Sequence, residues 1–225
     1  MLSKSRVRIA ITVTALFVCG GAITVEKIVS SKIATRVEEQ LPSASGISAS
    51  IPLFELPGDL RSKSIKSVQI KINDYTLKGS STKTSLAISA KNISKSKPTQ
   101  IGSLDITATI PLTKILEESG FNDAEIVDNA LQISVGAGGL GKALLVPKYA
   151  KSQIFFQLES VSVMGSPIPA SSLPADIQDQ IKSRTVKDLA IPQGLTVKSV
   201  SMSSRGLSIN FQGNDIQLES LGSSL

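Results

Sequence analysis

The residues best placed to do chemistry are those of the run Gly136-Ala137-Gly138-Gly139-Leu140-Gly141-Lys142. Its glycine spacing matches a dinucleotide fingerprint and nearly matches a phosphate-cradling P-loop. A P-loop needs a hydroxyl after its lysine to hold magnesium, and Ala143 has none. Both motifs also need a long helix to aim its first amides at phosphate, whereas Pro147 interrupts any helix begun at Lys142. The run therefore reads as a hairpin loop between two strands. A second cluster, Glu117, Glu118, Asp123, Glu125 and Asp128, has neither the spacing of a calcium-binding EF-hand loop nor the glycine at its sixth position. The expectation there is a helical turn capped by Asn122 or Asp123, with the other acids solvated.

Nucleophilic catalysis has little to work with. The chain holds no histidine, so the commonest general base and the commonest zinc ligand are missing together. A Ser/Lys pair would be the remaining familiar route, but Ser94-Lys95-Ser96-Lys97 has loop character, and no Ser-x-x-Lys segment sits beside an oxyanion signature. The one cysteine, Cys19, excludes an intrachain disulfide. The composition points to a non-enzymatic protein without cofactor, metal or catalytic residues.

The elements that position these residues begin with a membrane segment. Lys4, Arg6 and Arg8 precede an uncharged stretch from Ile9 to Val25, which as a helix spans about 25 Å against the roughly 30 Å of a hydrocarbon core. A retained signal-anchor and a signal cleaved after Ala22 both fit; the apolar run continuing to Val25 favours the anchor. The positive flank stays cytoplasmic and the rest is exported to the cell envelope, in the periplasm or its equivalent. Lipidation of Cys19 is disfavoured by the bulk of Val18, so a small apolar residue in a membrane helix is the better reading. The expected organisation is 1–25 signal-anchor or signal peptide and 26–225 one extracytoplasmic domain.

With 225 residues, 41% of them hydrophobic and 19% charged, the chain can build a sizeable core. The net charge of +6 falls to 21 cations against 18 acids once the three residues before the membrane segment are set aside. That mild basicity suits contact with anionic headgroups and lacks the cationic stripe that nucleic acid requires.

From Glu26 to Leu41, Ile28, Ile33, Val37 and Leu41 recur at helical steps, and Pro42 ends the amphipathic helix. Beyond it the period becomes two. Leu104, Ile106, Ala108 and Ile110 alternate with polar residues, as do Val68 to Ile72, Leu86 to Ala90, Leu131 to Val135 and Leu207 to Phe211: amphipathic strands of an antiparallel sheet. Ile154, Phe156 and Leu158 are followed by Val161 and Val163 at the opposite parity, which requires a bulge near Ser160; Leu195 and Val197 followed by Val200 and Met202 slip likewise. Helix returns only over Leu112 to Ser119 and Ser172 to about Arg184, and the lysine-bearing stretch Asn92 to Thr99 reads as a loop. Two short helices cannot cover so much apolar sheet. The sheet must curl on itself, pack around the helix from Glu26, or leave an apolar cavity that a lipid fills. A fully packed core is the plain alternative.

Two stretches carry a family resemblance. Ile51-Pro52-Leu53-Phe54-Glu55-Leu56-Pro57-Gly58 follows the amphipathic helix, and Ile191-Pro192-Gln193-Gly194-Leu195 leads through Val197, Val200, Arg205-Gly206-Leu207 and Asn214-Asp215-Ile216. They resemble, respectively, the proline segment and the closing strand pair of the LmeA-like phospholipid-binding family of actinobacterial envelope proteins. Pro52 is followed by Leu-Phe where that family has Phe-Leu. The resemblance implies an α+β, TULIP-like domain in which a strongly curved antiparallel sheet wraps a long N-terminal helix and encloses an acyl-chain cavity. The expected cavity wall is Leu53, Phe54, Leu56, Ile106, Ile110, Leu116, Phe156 and Leu158. The partners expected are phospholipid and the membrane, with no nucleic acid; the competing reading is an envelope scaffold that binds a protein partner through a sheet edge without a lipid cavity.

Overall fold

The structure is a computed structural model, and it describes Thr35 and residues 44–50, 64–76, 83–94, 96, 98–121, 123–135, 141–189 and 191–217. The expected membrane segment, the rest of the expected amphipathic helix to Leu41, the proline segment with Leu53, Phe54 and Leu56, and most of the glycine run lie outside the described residues. No described helix is long and apolar enough to cross a membrane.

The described chain is α+β and mostly antiparallel strand. In order it forms β1 (Ala44–Ser50), β2 (Ser64–Thr76), β3 (Lys83–Ser94), β4 (Gln100–Ile110), α1 (Leu112–Ser119), β5 (Ala124–Val127), β6 (Ala130–Val135), β7 (Gly141–Ala150), β8 (Gln153–Val163), β9 (Ser166–Pro169), α2 (Ala175–Thr185), β10 (Lys187–Asp188), β11 (Thr196–Ser203) and β12 (Gly206–Gln217). The strands make two sheets, one in the order β1-β2-β3-β4-β12-β11 and one in the order β10-β8-β7-β6-β5 with β9 also paired to β8. The described residues form two compact units: 109–189 with 199–209, and those up to 108 with 191–198 and 210–217.

In the first sheet the period-two pattern does what amphipathic strands require. Ile70, Ile72, Leu86, Ile106, Ile209 and Phe211 are buried, while Gln69, Lys71, Ala87 and Lys91 on the alternate positions are exposed. The alternation breaks in each of four strands, and a second time in β2 between Ile72 and Tyr75. Buried neighbours stand three residues apart at Ile65/Val68, Ala90/Ile93, Ile101/Leu104 and Gly213/Ile216. The β2–β3 pairing keeps one register across its break, with Ile65↔Ile93 on one side and Val68↔Ala90 on the other. Both strands therefore insert a residue at the same level.

The break continues across the sheet. A side chain at Gly102 would bring its Cβ within 2.9 Å of the Asn92 Cβ, so those two positions are neighbours. On β12, Asn210 accepts a 2.6 Å hydrogen bond from Thr107 Oγ1. The same offset carried along the strands sets Gly102 opposite Asp215. The result is one line, Lys66–Asn92–Gly102–Asp215, crossing four adjacent strands. Asn92 (φ 53°) and Asp215 (φ 50°) take the left-handed conformation that Asn and Asp tolerate better than most residues. A bulge bends its strand and tightens its twist, and an aligned row does so for all four together.

In the second sheet the irregularity is single. The β7–β8 register shifts between Leu144↔Ser160 and Leu145↔Leu158, the bulge that the parity of Leu158 and Val161 requires. The apolar face runs through Ile154, Phe156 and Leu158 and on to Val161 and Val163, paired with Pro147, Leu145, Ala143 and Gly141 of β7. α2 packs on β8. Where it ends, Thr185 Oγ1 accepts the buried Phe156 N–H at 3.0 Å and donates to the Ile181 carbonyl at 3.1 Å. β10 then pairs with Gln153 and Ile154, and the Leu189 N–H donates to the Ser152 carbonyl at 2.8 Å, so the edge of β8 is satisfied over its first half. β9 takes over the second half, from Ser160 to Val163.

α1 occupies the predicted residues. Pro111 precedes it, and it stops at Gly120, whose left-handed backbone (φ 71°) lets its N–H reach the Leu116 carbonyl at 3.0 Å. The acidic region departs from expectation. Asp123 caps no helix: β5 begins at the next residue, and Asp123 instead accepts a 2.7 Å hydrogen bond from Ser134 of β6. β3 also runs to Ser94 and β4 begins at Gln100, so the predicted loop is shorter than Asn92 to Thr99.

Candidate functional site

The wall residues read from the sequence fall on different elements. Phe156 and Leu158 share one buried face of β8, 4% and 3% exposed, opposite Pro147 and Leu145. Ile106 is 1% exposed on β4 in the first sheet, and the Thr107–Asn210 bond on the outer face makes Phe211 its neighbour on the inner one. Ile110 closes β4 half-buried. On α1 the buried residue is Ile115, with Leu116 only half-buried, because the helix turns its neighbour inward. The structure thus joins Phe156 to Leu158, sets Ile106 beside Phe211, and leaves Ile110 and Leu116 at the margins.

Among the buried residues not expected as wall, three are informative. Phe211 is the largest fully buried side chain of the described residues and Met202 is 2% exposed; both continued strand patterns already recognised. Tyr75 lies beyond a second register shift, between Ile72 and Tyr75, which took it out of the period-two run.

The chemistry of these faces is uniform. Among the described residues the buried side chains are apolar apart from the hydroxyls of Tyr75, Thr84, Thr109 and Thr185, and none is charged. Thr109 lies 3.4 Å from the Ser208 hydroxyl and Thr185 is bonded as above. Thr84 differs: its hydroxyl is buried, 2% exposed as a residue, and is the one buried side-chain oxygen or nitrogen of the described residues without a hydrogen-bond partner. It sits opposite Tyr75, near the hairpin end of β2 and β3 and in register with Leu86 and Ile88. Leaving such a hydroxyl unsatisfied costs about 1–3 kcal/mol, so the position offers one hydrogen bond in an otherwise apolar face.

Surface polar groups form short local sets. Lys142 Nζ donates to Ser134 Oγ at 3.3 Å, which in turn donates to Asp123, linking cation and acid through one hydroxyl. Glu118 pairs with Lys187 at 3.3 Å and Lys114 with Glu117. No group of three or more metal-ligating side chains occurs among the described residues. Of the glycine run, Gly141 pairs with Val135, which makes the run the connection of the β6–β7 hairpin.

Comparison with known protein families, with curated proteins and with solved structures finds no match for this chain.

Proposed function

We propose that the chain is a membrane-tethered envelope protein that binds phospholipid, its acyl chains held against apolar sheet faces that the bulges curve, with no catalytic step. The observation that carries this reading is the composition of the buried faces: mostly aliphatic, free of charge, with one unpartnered hydroxyl at Thr84. Acyl chains need such a surface, and one hydrogen-bonding group suffices to orient an ester or headgroup oxygen. Support also comes from the apolar Ile9 to Val25 segment and its cationic flank, from the TULIP-like resemblance, and from the lack of histidine. In this reading the helix from Glu26 is the element the first sheet wraps, and a lipid occupies what the helix leaves open. The role is lipid carriage or envelope maintenance.

The test uses the full chain in its membrane with a phospholipid bearing a photoactivatable group near the acyl terminus. Adducts mapped to peptides carrying Ile106, Phe156 or Leu158 are expected. Adducts confined to Ile9–Val25 would show that the domain takes no lipid.

One observation favours a second reading. β1 is a terminal strand of the first sheet and its seven residues, Ala44–Ser50, carry no charge. Edge strands open to pairing are commonly guarded by charge or proline, so β1 suits addition of a partner's strand. Crosslinks from Ser48 to another envelope protein, with no acyl adducts, would establish the scaffold.

A further inference from the structure

The second sheet has two unlike ends. Val135, Gly141 and Val163 are in register, so β6 ends, β7 begins and β8 ends at one level. The β5–β6 turn, Asp128-Asn129, and the β7–β8 turn, Lys151-Ser152, emerge at the other end. All four of those residues are polar, and all have positive φ, as the tight hairpin turn that matches strand twist demands. The β8–β9 turn has the same geometry with Met164 (φ 51°) and Gly165 (φ 84°) at its centre. A position that ordinarily selects Asn, Asp or Gly here holds a methionine, 84% exposed, beside Val163 at 44%. These two are the exposed large hydrophobic side chains of the described residues. Turn geometry does not call for them and packing does not use them.

Charge is withdrawn from the same end. No ionisable side chain occurs from Ser160 to Ala175, nor from Asn129 to Gly141. Glu159 precedes this stretch on β8; Lys142, whose position pairs with Ser162, and Asp123, joined to it through Ser134, both lie on the opposite face from Val163.

The geometry points to the β8–β9 turn as a membrane-contact tip that places Val163 and Met164 in the headgroup region of an anionic phospholipid surface. Two exposed side chains are far too little for a lasting protein interface, which buries about 800 Å² on each partner. They are enough for shallow insertion, which needs an apolar tip and no charge to desolvate. The overall excess of cations supplies attraction to anionic lipid. The inference rests on the membrane tether of the proposed function but not on an interior lipid.

The chain contains no tryptophan, so a single introduced one reports its own surroundings. Full chains carrying Met164→Trp or Lys151→Trp are reconstituted in vesicles of phosphatidylcholine and phosphatidylglycerol, with bromine on the first acyl carbons in half of the preparations, and floated. The account expects Met164→Trp emission to shift to the blue and to lose about half its intensity to bromine, while Lys151→Trp at the opposite end is quenched several-fold less. A chain that floats but shows equal, water-like emission at both positions overturns the inference and leaves the tether standing. A chain that fails to float overturns both. A blue shift that grows with protein density at fixed lipid, without bromine quenching, assigns the tip to a second copy and also overturns it.

Discussion

The first sheet takes up extra residues in a shared row, apart from one between Ile72 and Tyr75 of β2 that β3 does not match, and the second sheet takes up one alone. Along Lys66 and Asn92 the strands β2 and β3 each insert a residue at one level, so their pairing resumes in the same register beyond it, and Gly102 and Asp215 stand at the matching breaks of β4 and β12. At Ser160 one strand inserts a residue that its partner lacks, and the register moves by one. An aligned row is a built feature of a whole sheet, since no strand can drop its extra residue without mismatching its neighbours. A lone bulge belongs to one strand and can be healed.

That contrast ranks the outcomes of simple changes. Deleting Asn92 sets Ile93 opposite Lys66 in place of Ile65 and out of step with both β2 and β4; a loss of about 3–5 kcal/mol is expected, read as collapse of hydrogen-exchange protection in β2 and β3. Phe211→Ala, in the same sheet, removes its largest buried side chain and costs about 3–5 kcal/mol by denaturant unfolding, but it leaves the strand pairing pattern in place. Gly102→Val drives a Cβ to within 2.9 Å of the Asn92 Cβ and costs about 1–3 kcal/mol. Deleting Ser160 is the counterpart in the second sheet: Val161 and Val163 stay on the inner face because the parity slip disappears, and the change costs under about 1 kcal/mol. Should that deletion prove as damaging as loss of Asn92, the distinction between the two sheets fails. Smallest of all, Met164→Asn gives the β8–β9 turn a residue it prefers and stabilises the protein by about 0.5 kcal/mol in thermal melts, while weakening contact with anionic vesicles.

How much of this was legible follows from where each pattern lies. Period-two runs exposed most of the longer strands, and the parity slip at Leu158/Val161 located the lone bulge, because apolar residues stand on both sides of it at full strength. The aligned row was not legible. On its far side each strand keeps only one buried aliphatic residue, Ile65, Ile93, Ile101 or Ile216, too few to show a period, and its alignment is a property of neighbouring strands. α1 was found with its boundaries, since Pro111 and Gly120 bracket it, yet the inward residue proved to be Ile115 because only tertiary packing decides which side of a two-turn helix faces in. Asp123 misled because a short acid before an apolar pair serves a strand start as readily as a helix cap. Thr84 carried a signal that could have been used: a hydroxyl in register with Leu86 and Ile88 is a polar group consigned to an apolar face.

In the proposed function, lipid is carried on the apolar faces of the sheets. The full chain, extracted from its membrane in mild detergent and freed of it in the gas phase, gives a native mass spectrum that bears on this directly. The account predicts a charge series displaced by the mass of one phospholipid, persisting at collision energies that strip loosely held detergent. A spectrum showing only the bare chain under those conditions, from preparations that remain folded, would contradict it.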